Sequence, residues 1–435
     1  MSVLNTIKKQ GLNRPEETLM CLMAVTIPYM LNVGNISVVL AGVFSFYLIF
    51  TKKIDLKQYY NFGFLFPLFY FLIIIGSALT SDNVNYGLKV VNKNLLLFLI
   101  PFVLFSFKNA DFKIKRILVV FALSTTLATF ILLCYGSFNL ISGKGIDSVF
   151  FHEFTKLYDQ HPVYFALYIT LSIFIVTYYS FKLHLSSVFK NKLFVFGLIS
   201  ILGIGLILTA SKAVLFISIP LYFFLIFSLV QKMKNKLLLS GGLVVFIALL
   251  ACVPIIKERF LEGIHFNIEA FQPTNNLSEA YVFSKEDKDN ISDLELRYIF
   301  LKIGLYHTTE DHKLLFGYGV GDVQNYLDYY YMYYGLAPNW YEGYNVHNQY
   351  LQILVSLGII SLLFFISYLL FSIWIALKSK NILYIMFLIM ITFALFFESY
   401  FERNKGIVFF IFMNTLFLID FFRHEDRNIG HTGNT

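Results

Sequence analysis

The sequence predicts an all-α polytopic membrane protein of about twelve transmembrane helices, with one large extracytoplasmic loop of short helices. Three observations predict it. The 435 residues are 57% hydrophobic and 14% charged, whereas soluble domains lie near half apolar and a quarter charged. Apolar runs of roughly 15 to 25 residues recur, long enough to cross a bilayer core of about 30 Å. Lys and Arg gather in every second connecting segment, as the bias for cytoplasmic loops requires.

The runs lie near 18–33, 35–51, 61–79, 90–107, 116–139, 161–181, 193–211, 213–231, 237–256, 347–377, 382–398 and 406–422. The first two are short and joined only around Gly34, which suits a tight or re-entrant hairpin. No small-residue cleavage pattern follows the first run, so it is read as a retained span. With the N-terminus in the cytoplasm, the inner segments collect Lys8, Lys9, Arg14, Lys52, Lys53, Lys57, Lys108, Lys113, Lys115 and Arg116. Further along they collect Lys182, Lys190, Lys192, Lys232, Lys234, Lys236, Lys378, Lys380, Arg423 and Arg427. The net charge of +7 is therefore topological bias, and no nucleic-acid partner is needed to explain it. Both termini are expected in the cytoplasm, with spans one to nine over 1–256, spans ten to twelve over 347–422 and a tail over 423–435.

The outer segment 257–346 carries fourteen acidic and seven basic residues. Its amphipathic stretch Leu294 to Tyr306 and Tyr-rich run Tyr326 to Tyr334 predict a folded cap of short helices, since so long a loop in a compact bundle is usually functional or disordered and aromatic content argues against disorder. Within it, LFGYGVGD lacks the spacing and the surrounding βαβ unit of a nucleotide loop, and reads as a tight turn before a helix from Asp322. Cys21, Cys134 and Cys252 sit in apolar runs without metal-ligand spacing and read as small buried hydrophobes.

Several polar residues serve no topological need, and all fall on the outer face. Lys212 stands at the turn between the seventh and eighth spans. His161 opens the sixth span, Arg297 lies in the cap and His347 opens the tenth span. Glu398, Glu402, Arg403 and Lys405 occupy the last outer turn. Each has a bland alternative: a snorkelling lysine, a solvated cap arginine, an i,i+4 Glu398–Glu402 pair answering a nearby cation, a satisfied interfacial histidine. Convergence favours function, because ionisable groups at a membrane boundary are costly. Asn348, Gln352 and Ser356, four apart, add a polar stripe beside His347, and the helix start there offers backbone N–H groups to an anion. Cations suit a phosphate ligand, Arg bidentately. With an imidazole as base they suit transfer of a sugar from a lipid diphosphate. No DxD pair occurs in the outer loop, so no divalent metal or other cofactor is required.

HNQYLQILVSLGIISLL resembles the signature of the O-antigen ligase and polymerase family of bacterial envelope glycosyltransferases, a His-Asn followed by Leu-Gln and Gly-Ile-Ile. QHPVYFALY, LTASKAVLF, LFGYGVGDVQNYL and ESYFERNKGIVFF are similar to it in order, so the resemblance covers roughly residues 160 to 420. It implies a GT-C-like, metal-independent glycosyltransferase of the bacterial inner membrane. The enzyme would take a glycan from undecaprenyl diphosphate on the periplasmic face. The acceptor would be lipid A-core in a ligase or another lipid-linked repeat unit in a polymerase. His347 matches the family's essential histidine and Arg297 an outer-loop arginine thought to bind diphosphate. Lys212 stands where the family more often has Arg, keeping the charge but losing the fork. Arg403 completes the expected donor-binding cations, with His161, Asn348, Gln352 and Glu398 in support. A protein O-oligosaccharyltransferase is a further relative. A flippase or other transporter is the reading from another class, disfavoured because transporters place polar groups near the midplane in paired halves. A purely structural membrane protein would have no need of cations on the acidic side.

Overall fold

The computed structural model describes residues 14–182, 191–234, 236, 237, 241, 266 and 271–432, with the backbone alone over 31–33 and 427–432. The expected ninth span, the loop segment that follows it and Cys252 fall almost wholly outside the described residues.

Helices account for the regular structure of the described residues. The first group is α1 (Pro15–Thr26), α2 (Leu31–Phe50), α3 (Phe62–Thr80), α4 (Val84–Asn94), α5 (Leu96–Ser106), α6 (Ile114–Ile141) and α7 (Phe151–Thr155). Next come α8 (Pro162–Lys182), α9 (Lys192–Leu208) and α10 (Lys212–Leu229), then the short helices α11 (Lys285–Asn290), α12 (Asp293–Glu310) and α13 (Val323–Tyr333). The chain closes with α14 (Gln349–Lys378), α15 (Ile382–Ala394) and α16 (Asn404–Thr432). Among the described residues, seven stretches are long and apolar enough to cross a membrane: α3, α4 with α5, α6, α8, α10, α14 and Asn404–Asp426 of α16. Gly34–Phe50, α9 and α15 are shorter apolar helices. At 12 residues, α1 is only about 18 Å long, which fits a hairpin with α2 better than a full crossing.

The helices bury aromatic and aliphatic faces in one large core. Phe66 stacks on Tyr368 at 4.1 Å and Tyr384 on Phe417 at 4.7 Å. Buried hydroxyls and amides join helices where water is excluded: Tyr384 donates to Asn414 at 2.7 Å, and Asn414 donates to Ser372 at 3.1 Å. At one end, cations of the expected inner segments are paired: Arg14 with Asp111, Arg116 with Glu17, Lys108 with Asp426 and Lys378 with Glu425. Cys21 is partly buried, but Cys134 is exposed on α6, so the expectation of burial fails for it; a thiol on an apolar face costs little wherever it lies.

A second core builds the cap from α12, α13 and the irregular segments around Phe271 and Phe283. It also takes in Leu351, Leu354 and Val355 of α14. The expected single span over 347–377 is therefore broken. Gly358 has φ +78° and ψ 178°; the helix before it packs Leu351, Leu354 and Val355 with the cap and Ile353 and Leu357 with the large core, where Phe365, Tyr368 and Leu369 follow. The break is bridged by the LFGYGVGD segment. Leu314 O accepts the Ile359 N–H at 2.8 Å, while Val355 O and Ser356 O accept from the Tyr318 and Gly319 N–H groups at 2.8 and 3.0 Å. The same segment is fastened to the α3–α4 turn. Ser77 and Ser81 hydroxyls accept from Val320 and Gly321 N–H, and Asp322 accepts from both Asp82 and Asn83 N–H at 2.8 Å. The glycines thus do more than form a turn: they let the backbone pass between two helices.

Candidate active site

His347 lies two residues before α14, with φ +47°. This left-handed conformation is uncommon for a residue with a side chain. It is held by Asn345, whose side-chain oxygen accepts the His347 N–H at 2.9 Å. Asn348 caps α14, accepting the Leu351 N–H at 3.0 Å, a standard N-cap contact. Gln349 then staples the last outer turn in place: its N–H donates to Leu395 O at 2.8 Å, and its side-chain oxygen accepts the Phe401 N–H at 2.7 Å.

That staple sets Glu398 beneath His347. The distance from His347 Nδ1 to Glu398 Oε2 is 3.7 Å, with the carboxylate almost wholly buried, an ion-pair distance just beyond hydrogen bonding. Burial by itself would raise the Glu398 carboxyl, yet His347, His161 and Arg297 around it hold it below the ordinary glutamate value. Its neighbours favour the carboxylate form against the cost of burial. The His347 ring lies parallel to Phe300, centroids 6.2 Å apart, with Tyr344 edge-on at 5.7 Å.

The cap supplies the next cations through α12. Ser292 and Glu295 form a reciprocal capping box at its start, which fixes the register of Asp293 and Arg297. Arg297 donates from Nη1 to Asp293 O at 2.7 Å and from Nε to Phe397 O at 3.2 Å, beside Glu398. The Asp293 carboxylate stands 3.5 Å from Lys212 Nζ. Lys212 is the first residue of α10, after a tight turn with Ala210 at φ +49°. Asp293 therefore joins Lys212 to Arg297, and both to the His347–Glu398 pair.

On the far side of Glu398, His161 packs 4.9 Å from His152 and 5.5 Å from Tyr164, measured between ring centroids. The charge of Arg403 acts on both histidines. Its exposed side chain makes no hydrogen bond or ion pair among the described residues. Lys405 turns away, donating to Tyr158 O at 2.6 Å and Asp159 O at 3.1 Å.

The structure thus brings together His347, Glu398, Arg297, Lys212 and His161, with Arg403 at the rim. It corrects three expectations. Glu398 and Glu402 do not share a helix face, because α15 ends at Ala394 and a short 3-10 turn follows; Glu402 does pair with a cation, Lys93 at 2.5 Å, as its bland reading expected. The start of α14 does not present the expected row of unpaired N–H groups, since those of Gln349, Leu351 and Gln352 are already bonded. The polar stripe does not line an open cleft along its length: Asn348 is half-buried, and Gln352 and Ser356 are buried. Gln352 accepts the Val346 N–H at 3.4 Å, and the Ser356 hydroxyl bonds back to Gln352 O. Asp293 and Gln349 escaped sequence reasoning. The i,i+4 spacing of Asp293 and Arg297 was a usable signal for the first, whereas nothing local marks a glutamine that binds a turn 52 residues away.

No curated protein matches the chain. The family model described as O-antigen ligase matches residues 196–366, a stretch containing Lys212, Arg297, His347 and the Gly358 break. The chain is thus a multi-pass membrane protein whose residues 196–366 match the O-antigen ligase family model, the family its ordered motifs resemble.

Proposed function

We propose that the protein transfers a glycan from undecaprenyl diphosphate to an acceptor hydroxyl, as an O-antigen ligase whose acceptor is lipid A-core. The observation that carries this reading is the 3.7 Å pairing of His347 with buried Glu398, ringed by Arg297, Lys212 and Arg403. A carboxylate beside an imidazole orients the ring and stabilises its protonated form, which strengthens it as a general base.

The acceptor hydroxyl gives its proton to His347 as its oxygen attacks the anomeric carbon. The bond from that carbon to the diphosphate oxygen breaks, and its electron pair leaves with the diphosphate. Arg297 has Nε and one Nη1 proton committed to carbonyls, so its remaining Nη donors face the departing charge. Lys212 and Arg403 add positive charge beside it. In this reading the chain is a GT-C-type enzyme of the bacterial inner membrane. Ten apolar stretches supply its crossings, and α1 folds back against α2 as a hairpin. The site is periplasmic and both termini are cytoplasmic.

The test is twofold. Purified His347→Ala protein, folded and inserted, is expected to lose transfer of a lipid-linked glycan to core oligosaccharide, and full activity in that variant refutes the reading. In cells lacking the protein, lipid-linked polymer with bare core is the expected phenotype. Single repeats attached to core would assign a polymerase instead.

A further inference from the structure

The turn between α12 and α13 carries three consecutive apolar residues, Leu314, Leu315 and Phe316, that point out of the protein. Leu315 is 56% and Phe316 73% exposed, which is unusual for a cap loop bathed in water. Their position gives the reason. Leu314 O is bonded to the Ile359 N–H at the α14 break, so the turn lies directly beside the start of the helix's second half. The side chains there, Ile360 and Leu363, are exposed at 52% and 59%, as lipid-facing residues are. From Gly358 to Lys378, at about 1.5 Å per residue, α14 is about 30 Å long, the thickness of the hydrocarbon core. The bilayer boundary on this side therefore falls at the break, level with the turn.

We infer that Leu314, Leu315 and Phe316 form a hook by which the cap enters the bilayer, continuous with the lipid-facing side of α14, and that its partner is the acyl-chain region of the membrane. Backbone at this depth must be internally bonded. The bonds across the break meet that need for the helix, and within the turn for the Leu314 carbonyl and the Gly317 N–H. Lys313, exposed at the entrance to the turn, stands where its ammonium reaches phosphate headgroups. Moving the exposed faces of Leu315 and Phe316 out of water and into acyl chains is favourable, and holds the cap against the membrane surface. This inference does not depend on the transfer reaction.

The full-length protein, with Cys21, Cys134 and Cys252 replaced by Ser, is reconstituted in phospholipid nanodiscs and spin-labelled at Phe316→Cys. Collision with oxygen, which concentrates in lipid, is compared with collision with a water-soluble nickel chelate. Ile360→Cys serves as the lipid-facing reference and Tyr329→Cys, on the exposed side of α13, as the aqueous one. The expected result is an oxygen-to-nickel ratio at position 316 close to that at 360 and several-fold above that at 329. A ratio matching position 329 overturns the hook, and so does a label shielded from both reagents, which would mean that protein covers the turn.

Discussion

Gly358 and Leu315 leave no space between them: a Cβ on Gly358 would stand 2.1 Å from the Leu315 carbonyl oxygen. The glycine's φ of +78° is itself a conformation that side chains resist. Across the same contact, a Cβ on Gly317 would stand 2.4 Å from the Ser356 carbonyl carbon. Gly358→Ala is therefore expected to cost at least about 2 kcal/mol, from backbone strain and overpacking together. Gly76→Ala is the control, in a helix with nothing within 4 Å of the added methyl; it is expected to be neutral or to stabilise by up to about 1 kcal/mol. Thermal or denaturant unfolding of the purified variants checks both, and equal stabilities would show that the break yields easily.

Asp322 fastens the cap to the α3–α4 turn through two N–H groups on adjacent residues. Asp322→Ala leaves both donors without a partner, at about 1–3 kcal/mol, and Asp322→Asn keeps one acceptor oxygen. Faster hydrogen exchange is expected at the Asp82 and Asn83 amides, larger in the alanine variant. Amides in the middle of α8, remote from the fastening, are expected to exchange as before. Unchanged exchange at 82 and 83 would mean that water replaces the carboxylate without loss.

The helices were legible in the sequence because each apolar run must be helical to satisfy its backbone in lipid. The gathering of His161, Lys212, Arg297, His347 and Glu398 was legible for a related reason: charge that topology does not require has to find a common partner. The α14 break was not. A glycine among Leu, Ile and Ser leaves the apolar pattern intact, and only the carbonyls and N–H groups of residues 314–319 show that the helix has parted. The backbone contacts of Asn348 and Gln352 are not legible either, since a polar stripe that binds backbone and one that faces a cleft have the same periodicity.

His307 makes the cap sensitive to acid. Its ring is 1% exposed, hydrogen-bonded to the Tyr334 hydroxyl at 2.8 Å and stacked on Tyr330, whose hydroxyl donates to Asp311. Burial lowers its pKa from 6.5 to about 4, against the opposing pull of Asp311. The sign follows from linkage: as pH falls below 6.5 the unfolded chain takes up a proton that the folded cap refuses until about pH 4. Stability is thus full above pH 6.5, declines between 6.5 and 4, and levels off below. The decline is at most about 3 kcal/mol. His307→Gln is expected to flatten this slope even if it lowers stability throughout. Urea unfolding of the cap, followed by tyrosine fluorescence at pH 7 and pH 4.5, measures it, and an unaltered slope would place the sensitivity elsewhere.

Arg297 separates charge from geometry at the site. Both Arg and Lys carry the positive charge, but only the guanidinium can hold Asp293 O and Phe397 O and still offer a pair of donors to a diphosphate. Arg297→Ala removes charge and scaffold together, and a lost charged hydrogen bond of about 1.5–3 kcal/mol corresponds to a rise in donor KM of roughly 10- to 100-fold. Arg297→Lys is expected to fall between wild type and alanine, with its deficit in donor KM and not in acceptor KM. The Lys212–Asp293 contact gives an internal check. Asp293→Asn keeps the backbone carbonyl that binds Arg297 while weakening the hold on Lys212, so its effect is expected to be milder than that of Arg297→Ala. Equal losses for Arg297→Ala and Arg297→Lys would mean that the fork never meets the donor, and that Arg297 serves only to position the Phe397–Glu398 turn beneath His347.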